Sequence, residues 1–286
     1  MNNNILIAQQ GNCDVALIDG SKVFHYKDKS GNDQSLDLAN LTDGTGLFTG
    51  NANLNVDWDA SLPNLTNGGN MFYGSNLASF SGELPRLTKA FKSPSGFDMS
   101  YNGMFQNCTT LTSFSSDLPN LSDGSNMFNG CTGLTSFSGE LPNLSKAGGN
   151  FSLGGMFQSC TSLTSWTVEL PNLSDGSYMF SGCTGLTSWT ADLPNLSYGD
   201  SMFENCSNLT SWTVELPNLE SGSGMFSGCK LDKDSVHCIA ESIPAISSDR
   251  ELTLGIDASL QNDADVAADL ATIETTKNWN LTTEWN

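Results

Sequence analysis

Basic residues are scarce in this sequence. Eleven Lys and Arg stand against 31 Asp and Glu among 286 residues, which gives a formal net charge of -20 at pH 7. Nucleic acids and anionic lipid surfaces both attract a basic protein face, so this balance argues against either as a partner. The sequence also lacks any apolar run near the ~18 residues of a membrane span, and we expect no membrane insertion.

Residues and motifs typical of catalysis are also few. Histidine occurs only at His25 and His237, in opposite end segments of the chain. The sequence has no Gly-rich phosphate loop, nucleophile elbow or zinc signature. A glycan hydrolase needs two carboxylates with different pKa values, whereas the carboxylates of a repeated pattern have equivalent surroundings. We therefore expect a protein that is not an enzyme and that binds no cofactor or metal.

The N-terminal segment MNNNILIAQQ has no positively charged region ahead of a long apolar core. The sequence therefore predicts no secretory signal, and we expect the protein to be made in a cytoplasm. In that compartment the eight cysteines are expected to be thiols rather than a set of disulfides.

What the sequence does contain is an internal repeat with a base period of 23 residues. The clearest marker of the repeat is a Leu-Pro pair, and the intervals between its prolines are 22, 34, 23, 29, 23 and 23 residues. The prolines are Pro63, Pro85, Pro119, Pro142, Pro171, Pro194 and Pro217. Ala39 stands 24 residues before the first proline and marks a degenerate first unit. We count eight units, over residues 36–230.

Each unit predicts a short strand, a turn and one helical turn. In the unit from Leu163 to Cys183, apolar and polar residues alternate between Trp166 and Leu170, as in a half-buried strand. Ser-Asp-Gly at 174–176 predicts a turn in which the glycine takes a positive φ, and YMFSGC predicts a helical or 3-10 turn. Because one unit cannot bury its apolar side alone, we expect a β-rich repeat solenoid of about eight stacked coils.

Stacking would place equivalent residues of successive units in columns. A cysteine column is interpreted as small buried side chains, since equal spacing along one line gives no tetrahedral metal site. It consists of Cys108, Cys131, Cys160, Cys183, Cys206 and Cys229. An aromatic column could form a sugar-binding platform, but its parity with leucines favours a packed core. It consists of Trp58, Phe80, Phe114, Phe137, Trp166, Trp189 and Trp212.

Two polar columns flank the Leu-Pro pairs. The residue after the proline is usually asparagine, whose amide can close off the backbone of the turn. The residue before the pair is acidic and is expected to point away from the core. The acidic column consists of Glu83, Asp117, Glu140, Glu169, Asp192 and Glu215.

Carboxylates about 5 Å apart repel by roughly 1 kcal/mol per pair near a surface. The acidic column is therefore either well solvated or opposite a cation or a basic partner. Calcium bridging is a further alternative, although the dense Asp-x-Asp-x-Asp pattern of dedicated sites is absent.

Two insertions interrupt the period in the same part of the unit, within 88–103 and within 146–155. Basic and aromatic side chains cluster in or beside them, and such side chains on loops of a rigid scaffold are typical recognition anchors. The candidate binding residues are Arg86, Lys89, Phe91, Lys92, Phe97, Tyr101, Lys146 and Phe151. The alternative is that these are tolerated insertions whose aromatic residues fold back onto the coils.

The pattern Met-Phe-x-x-Cys-x-x-Leu followed by Leu-Pro, in 23-residue units, is similar to the BspA-like, Treponema-type leucine-rich repeats. Units of that family run approximately A-F-x-x-C-x-x-L-x-x-I-x-I-P. In this sequence methionine replaces the alanine, and Leu-Pro comes two residues later than the Ile-Pro of the family. The similarity covers about two thirds of the chain.

The resemblance implies a non-enzymatic recognition or adhesion module, because such solenoids bind host proteins on microbial surfaces and also occur in virion proteins of phages that infect gut bacteria. Without a predicted secretory signal, a virion protein that contacts a bacterial surface, a host protein or a glycan fits better. The alternatives are a structural or assembly component of a virion and an adhesin on a bacterial surface.

Different patterns flank the repeat. Residues 1–35 contain short strand-like segments and form a predicted N-terminal cap, or an anchoring segment that contacts other virion proteins. Residues 231–286 form a predicted α/β cap over the last coil. In that cap, residues 232–245 and the segment DADVAADLATIETTK predict helices, while RELTLGI and NLTTEWN predict strands. Oligomeric state is left open.

Overall fold

The computed structural model describes residues 15–18, 23–27, 33–52, 54, 57–91, 102–148, 154–247 and 250–286. An antiparallel sheet at the N-terminal end is followed by a stack of coils and then by a parallel sheet flanked by helices. No helix among these residues is both long enough and apolar enough to cross a membrane.

The N-terminal sheet has three strands, β1 (Val15–Ile18), β2 (Val23–Lys27) and β3 (Asp33–Asp37), paired in chain order. A 3-10 helix, Leu38–Asn40, follows β3 directly, and the Asp37 carboxylate caps it by accepting from the backbone N–H of Ala39. The first two strands lie within segments predicted to be extended. The third was not predicted, because its sequence DQSLD is polar.

A ladder of two-residue parallel strands follows, one in each of six coils. The strands are β4 (Asp57–Trp58), β5 (Ser79–Phe80), β6 (Ser113–Phe114), β7 (Ser136–Phe137), β8 (Ser188–Trp189) and β9 (Ser211–Trp212). Each aromatic residue pairs with the aromatic residue of the next coil in the ladder. Sequence analysis therefore identified the register, because equivalent residues of successive units pair with each other.

The strand predicted between Trp166 and Leu170 is wrong. Residues 164–170 have no strand pairing. The indole N–H of Trp166 donates to the carbonyl oxygen of Val168, at 2.7 Å, and this bond turns the chain directly after the ring. The same bond forms after the other three tryptophans of the column. This bond shapes the backbone after the ring but does not exclude pairing, since Trp58, Trp189 and Trp212 form it and lie in two-residue strands.

The core consists of two parallel columns of aromatic rings, almost all fully buried. The predicted column from Trp58 to Trp212 has ring centroids 5.3–6.3 Å apart between neighbours. A second column runs from Phe48 to Phe226, with centroids 5.2–5.7 Å apart. Rings of the two columns meet edge to face, which is a favourable arrangement for aromatic quadrupoles. The prediction of a packed core is confirmed.

The glycine of the predicted Ser-Asp-Gly turn has a role other than the one expected. Gly176 does not have a positive φ; Tyr178, two residues later, does, with φ 61°. A Cβ built on Gly176 would lie 2.9 Å from the sulfur of Met202 in the next coil. Gly44, Gly68 and Gly199 face equivalent methionines in the same way. Glycine is therefore required because the methionine column fills the space above it.

The cysteine column is buried in the core, as predicted. Each sulfur donates to a phenylalanine carbonyl of the preceding coil at 2.9–3.3 Å, as Cys183 does to Phe157. Among the described residues all seven cysteines are free thiols. Burial removes water from the sulfur and raises the pKa of Cys108 to about 11 and that of Cys206 to about 12. The column therefore consists of neutral thiols that fill space and satisfy carbonyl groups.

Close backbone contact between coils depends on glycine at position 139. A Cβ on Gly139 would lie 2.0 Å from the carbonyl oxygen of Ser116 in the preceding coil. We expect Gly139→Ala to force these coils apart and to lower the free energy of unfolding by about 1–3 kcal/mol. Guanidinium denaturation followed by circular dichroism measures this change. The neighbouring exposed Ser138→Ala is the control, expected within about 0.5 kcal/mol of the parent; equal stability of the two variants would contradict the prediction.

The C-terminal part alternates strands and helices. Strand β10 (Gly222–Leu231) is followed by α1 (Lys233–Ser242), β11 (Glu251–Ile256), α2 (Ala264–Ala271) and β12 (Asn280–Trp285). A short 3-10 helix, Ala258–Leu260, precedes α2, and a π-helical turn, Thr272–Thr276, follows it. The strands are parallel in the order β10-β11-β12, and β10 extends across residue 230.

Helix α1 lies against the last aromatic strand of the stack. The hydroxyl of Ser235 accepts a hydrogen bond from the backbone N–H of Trp212 at 2.7 Å, and Ser242 accepts one from Leu216 at 3.3 Å. Two serine side chains thus replace the backbone acceptors that a further coil would supply.

Candidate interaction surface

The acidic column lies on the outside of the stack. All six of its side chains are exposed, and each precedes a leucine that is buried. Asp117 has a structural role as well, since its carboxylate accepts from the backbone N–H of Glu140 in the next coil at 3.0 Å. The alternation of exposed carboxylate and buried leucine keeps the column on a single face over six coils.

No group of three His, Cys, Asp or Glu side chains within the described ranges is close enough to hold a metal ion. Successive carboxylates of the column belong to successive coils, so the acidic neighbours of each carboxylate within the column lie above and below it along the stack. This arrangement presents negative charge over a long, narrow face.

A groove interrupts this face between two coils. It lies between the coil of Pro142 and the coil of Pro171, and its volume is about 350 Å³. Its walls include Glu140, Leu141, Pro142, Val168, Glu169 and Pro171. It lies where the strand ladder that begins at β4 ends at Phe137, one coil before the ladder resumes at Ser188.

The groove coincides with a change of side chain at one repeat position. At Gly139 the Pro142 coil approaches its predecessor so closely that no Cβ would fit, and Ser138 donates its backbone N–H to Phe114 at 3.0 Å. Val168 takes this position in the next coil. Its side chain is only partly buried and lines the groove. The groove therefore lies where a glycine-containing coil meets a valine-containing one.

Four of the eight candidate binding residues are in the described part of the chain: Arg86, Lys89, Phe91 and Lys146. Arg86 occupies the asparagine column, where its guanidinium donates to Asn64 at 3.1 Å. Lys89 and Lys146 form backbone bridges with neighbouring coils, Lys89 with Asn67 and Lys146 with Asp123 and Asp175. These three residues are thus part of the stack itself, and Phe91, the fourth, forms a bridge with Gly103. Lys92, Phe97, Tyr101 and Phe151 lie outside the described residues.

Both insertions begin and end at adjacent points of the stack. The backbone N–H of Met104 donates to Ala90 at 2.6 Å, and that of Met156 donates to Ala147 at 2.6 Å. In uninterrupted coils the equivalent methionine donates to the glycine three residues before it, as Met179 does to Gly176. The insertions therefore share one position in the repeat, as predicted, and leave the turn hydrogen bond intact.

The asparagine column closes the turns, as its position in the repeat indicated. Each amide nitrogen donates to the backbone carbonyl of the preceding coil, for example Asn195 to Pro171 at 2.7 Å. Equivalent bonds join Asn120 to Pro85, Asn143 to Pro119, Asn172 to Pro142 and Asn218 to Pro194. These side-chain amides donate to backbone carbonyls, and so supply a donor beside a proline that has no backbone N–H.

The groove was not predicted from the sequence. The groove coincides with the change from Ser-Phe-Ser-Gly at 136–139 to Ser-Trp-Thr-Val at 165–168. That change is visible in the sequence, but its consequence depends on how far apart two backbones lie.

Comparison with known proteins supports the repeat assignment. The family model described as BspA type Leucine rich repeat region matches residues 66–147 and 152–247, in six copies. No curated protein and no solved structure matches the chain.

Proposed function

Since this chain belongs to the family with the BspA type leucine-rich repeat region, we propose that it is a non-enzymatic recognition module. Repeat domains of this kind generally mediate protein–protein interaction or adhesion. In this chain the partner would be a protein or glycan on a bacterial or host surface. The two insertions and the acidic face would make the contact.

One observation carries this proposal: the two insertions leave the same position of a rigid stack, and a hydrogen bond at 2.6 Å closes the base of each. The stacked rings that support them run without interruption from Phe48 to Phe226. A loop whose two ends are fixed on a stacked scaffold has less conformational entropy to lose on binding than a free segment.

We further propose that the protein is part of a virion, as its resemblance to phage repeat proteins implies. The alternative setting is a bacterial surface. Immunogold labelling with an antibody against the purified chain tests this part. Label on phage particles supports the virion setting, and label confined to bacterial cells contradicts it.

Excising the two insertions tests recognition. Replacing residues 91–103 and residues 148–155 each with Ser-Asn restores the 23-residue period and keeps the turn between Ala90 and Met104 and that between Ala147 and Met156. We expect the excised protein to fold and to lose at least about 90% of its adsorption to host cells, because the four aromatic anchors and Lys92 are gone. Flow cytometry with fluorescently labelled protein measures adsorption, and circular dichroism checks the fold.

The control is removal of residues 1–14 from the intact chain, which leaves both insertions in place. If excision leaves adsorption unchanged, recognition through the insertions is wrong. If the control alone prevents incorporation into particles while adsorption of the free protein persists, the N-terminal segment is the anchor to other virion proteins.

A further inference from the structure

The groove between the Pro142 and Pro171 coils is lined by both acidic and apolar side chains. Two of its wall residues are carboxylates, Glu140 and Glu169, one on each coil. Leu141, Val168 and the two prolines make much of the remaining wall apolar. None of the residues that line it is basic, so the negative charge inside the groove has no cation among its walls.

The dimensions of the groove limit what can enter it. Its volume of about 350 Å³ is at the lower end of the range for ligand sites. Beneath it the rings of Phe137 and Trp166 remain stacked, with centroids 5.3 Å apart. A strand inserted between the two coils would need about 4.8 Å to each neighbour, roughly twice this separation. The groove therefore has room for a side chain but not for an added strand.

We propose that this groove binds an arginine side chain of a partner protein. The methylene stem would pack on Val168 and the proline rings, while the guanidinium would lie between Glu140 and Glu169. Arginine fits better than lysine because its planar fork can donate to two carboxylates at once and is more weakly hydrated. The inference deepens the proposed function, on which it rests, by naming the chemistry of the partner.

The surroundings of the groove favour the same occupant. Asp117 and Asp192, on the coils before and after, extend the acidic column on both sides. Because like charges on one face add at short range, a cation approaching either end of the column is attracted along it. The groove is the point on this column where a cation can also bury its apolar stem.

The test uses three peptides that differ at one position: acetyl-GSGXGSG-amide with X as arginine, lysine or citrulline. Citrulline has the shape of arginine without its charge. Two-dimensional NMR of isotopically labelled full-length protein maps each peptide and gives its Kd. We expect the arginine peptide to shift amide signals of residues 138–142 and 167–171, with lysine weaker and citrulline without effect.

Three variants separate the groove from general charge attraction. Ser138→Trp should block the groove with both carboxylates present, and Glu140→Gln with Glu169→Gln should remove the charge. Each is expected to weaken arginine-peptide binding by about tenfold. The matched control, Asp192→Asn with Glu215→Gln, removes the same charge from the same column and should change Kd less than about twofold.

The inference is overturned if signals shift evenly along the acidic column, if Ser138→Trp binds like the parent, or if citrulline binds as well as arginine. These outcomes leave the proposed function untouched when the intact protein still adsorbs to cells and the excised protein does not. Conversely, groove binding without adsorption to any cell would sustain the arginine site and reject recognition of that surface.

Discussion

The Phe180→Ala variant is expected to lose about 3–5 kcal/mol of unfolding free energy. Phe180 is fully buried, and its ring stacks on those of Phe157 and Phe203 at centroid distances of 5.4 and 5.7 Å. It also meets the rings of Trp166 and Trp189 edge to face, both at 4.9 Å. Removing it leaves a cavity that touches three coils.

The loss should also change how the protein unfolds. In a solenoid each coil contacts only its neighbours, so stability is carried by successive interfaces. A cavity at one coil weakens two interfaces at once, and we expect the parts before and after Phe180 to unfold in separate steps. Guanidinium denaturation followed by tryptophan fluorescence and by circular dichroism would then give different midpoints.

Tyr198→Ala is the matched control, because Tyr198 is an aromatic residue 44% exposed on the same stack. Its replacement should cost no more than about 0.5 kcal/mol. A Phe180→Ala protein as stable as the Tyr198→Ala protein would show that the ring columns do not hold the coils together.

The thiols of the cysteine column are expected to react at least about 1,000-fold more slowly in the native protein than in guanidinium. The thiolate is the reactive form, and burial raises the pKa of all six thiols above the ordinary value, to about 11 for Cys108 and about 12 for Cys206. A reagent also has no direct access to the sulfur atoms, since all six side chains are fully buried. The reagent must therefore wait for the stack to open.

The measurement uses the Cys13→Ser, Cys238→Ser double variant, which keeps only the column, and follows the reaction with a chromogenic disulfide reagent at pH 8. Restoring Cys238 provides the control, because it is only partly buried and should react far faster than the column. A column cysteine that reacts at the rate of a free thiol would contradict the buried arrangement.

Much of this fold could be predicted because repetition shows which residues are equivalent. Once the 23-residue period was established, the pairing of Trp189 with Trp212 and the burial of Cys183 followed without knowledge of the third dimension. The common position of the two insertions followed in the same way. Family membership was predictable for the same reason, since six similar units are matched by one repeat model.

Other features depended on contacts between coils. The strands are two residues long in the tryptophan coils and in the phenylalanine coils alike. Gly176 proved to be required for the space that Met202 fills, rather than for a positive φ. Lys146, assigned to a loop, is a bridge residue in the stack, because the insertion begins after it.

The sequence by itself determined the period, the columns and the buried side of each unit, since these depend on the order of residues along one chain. Only the tertiary structure decided where neighbouring coils touch and where they separate. Contacts between atoms of neighbouring coils set the spacing of those coils. Because Gly139 has no Cβ, its backbone can lie close to the carbonyl oxygen of Ser116. Val168, at the same repeat position in the next coil, lines the groove, and only the packed coils show that a groove is there.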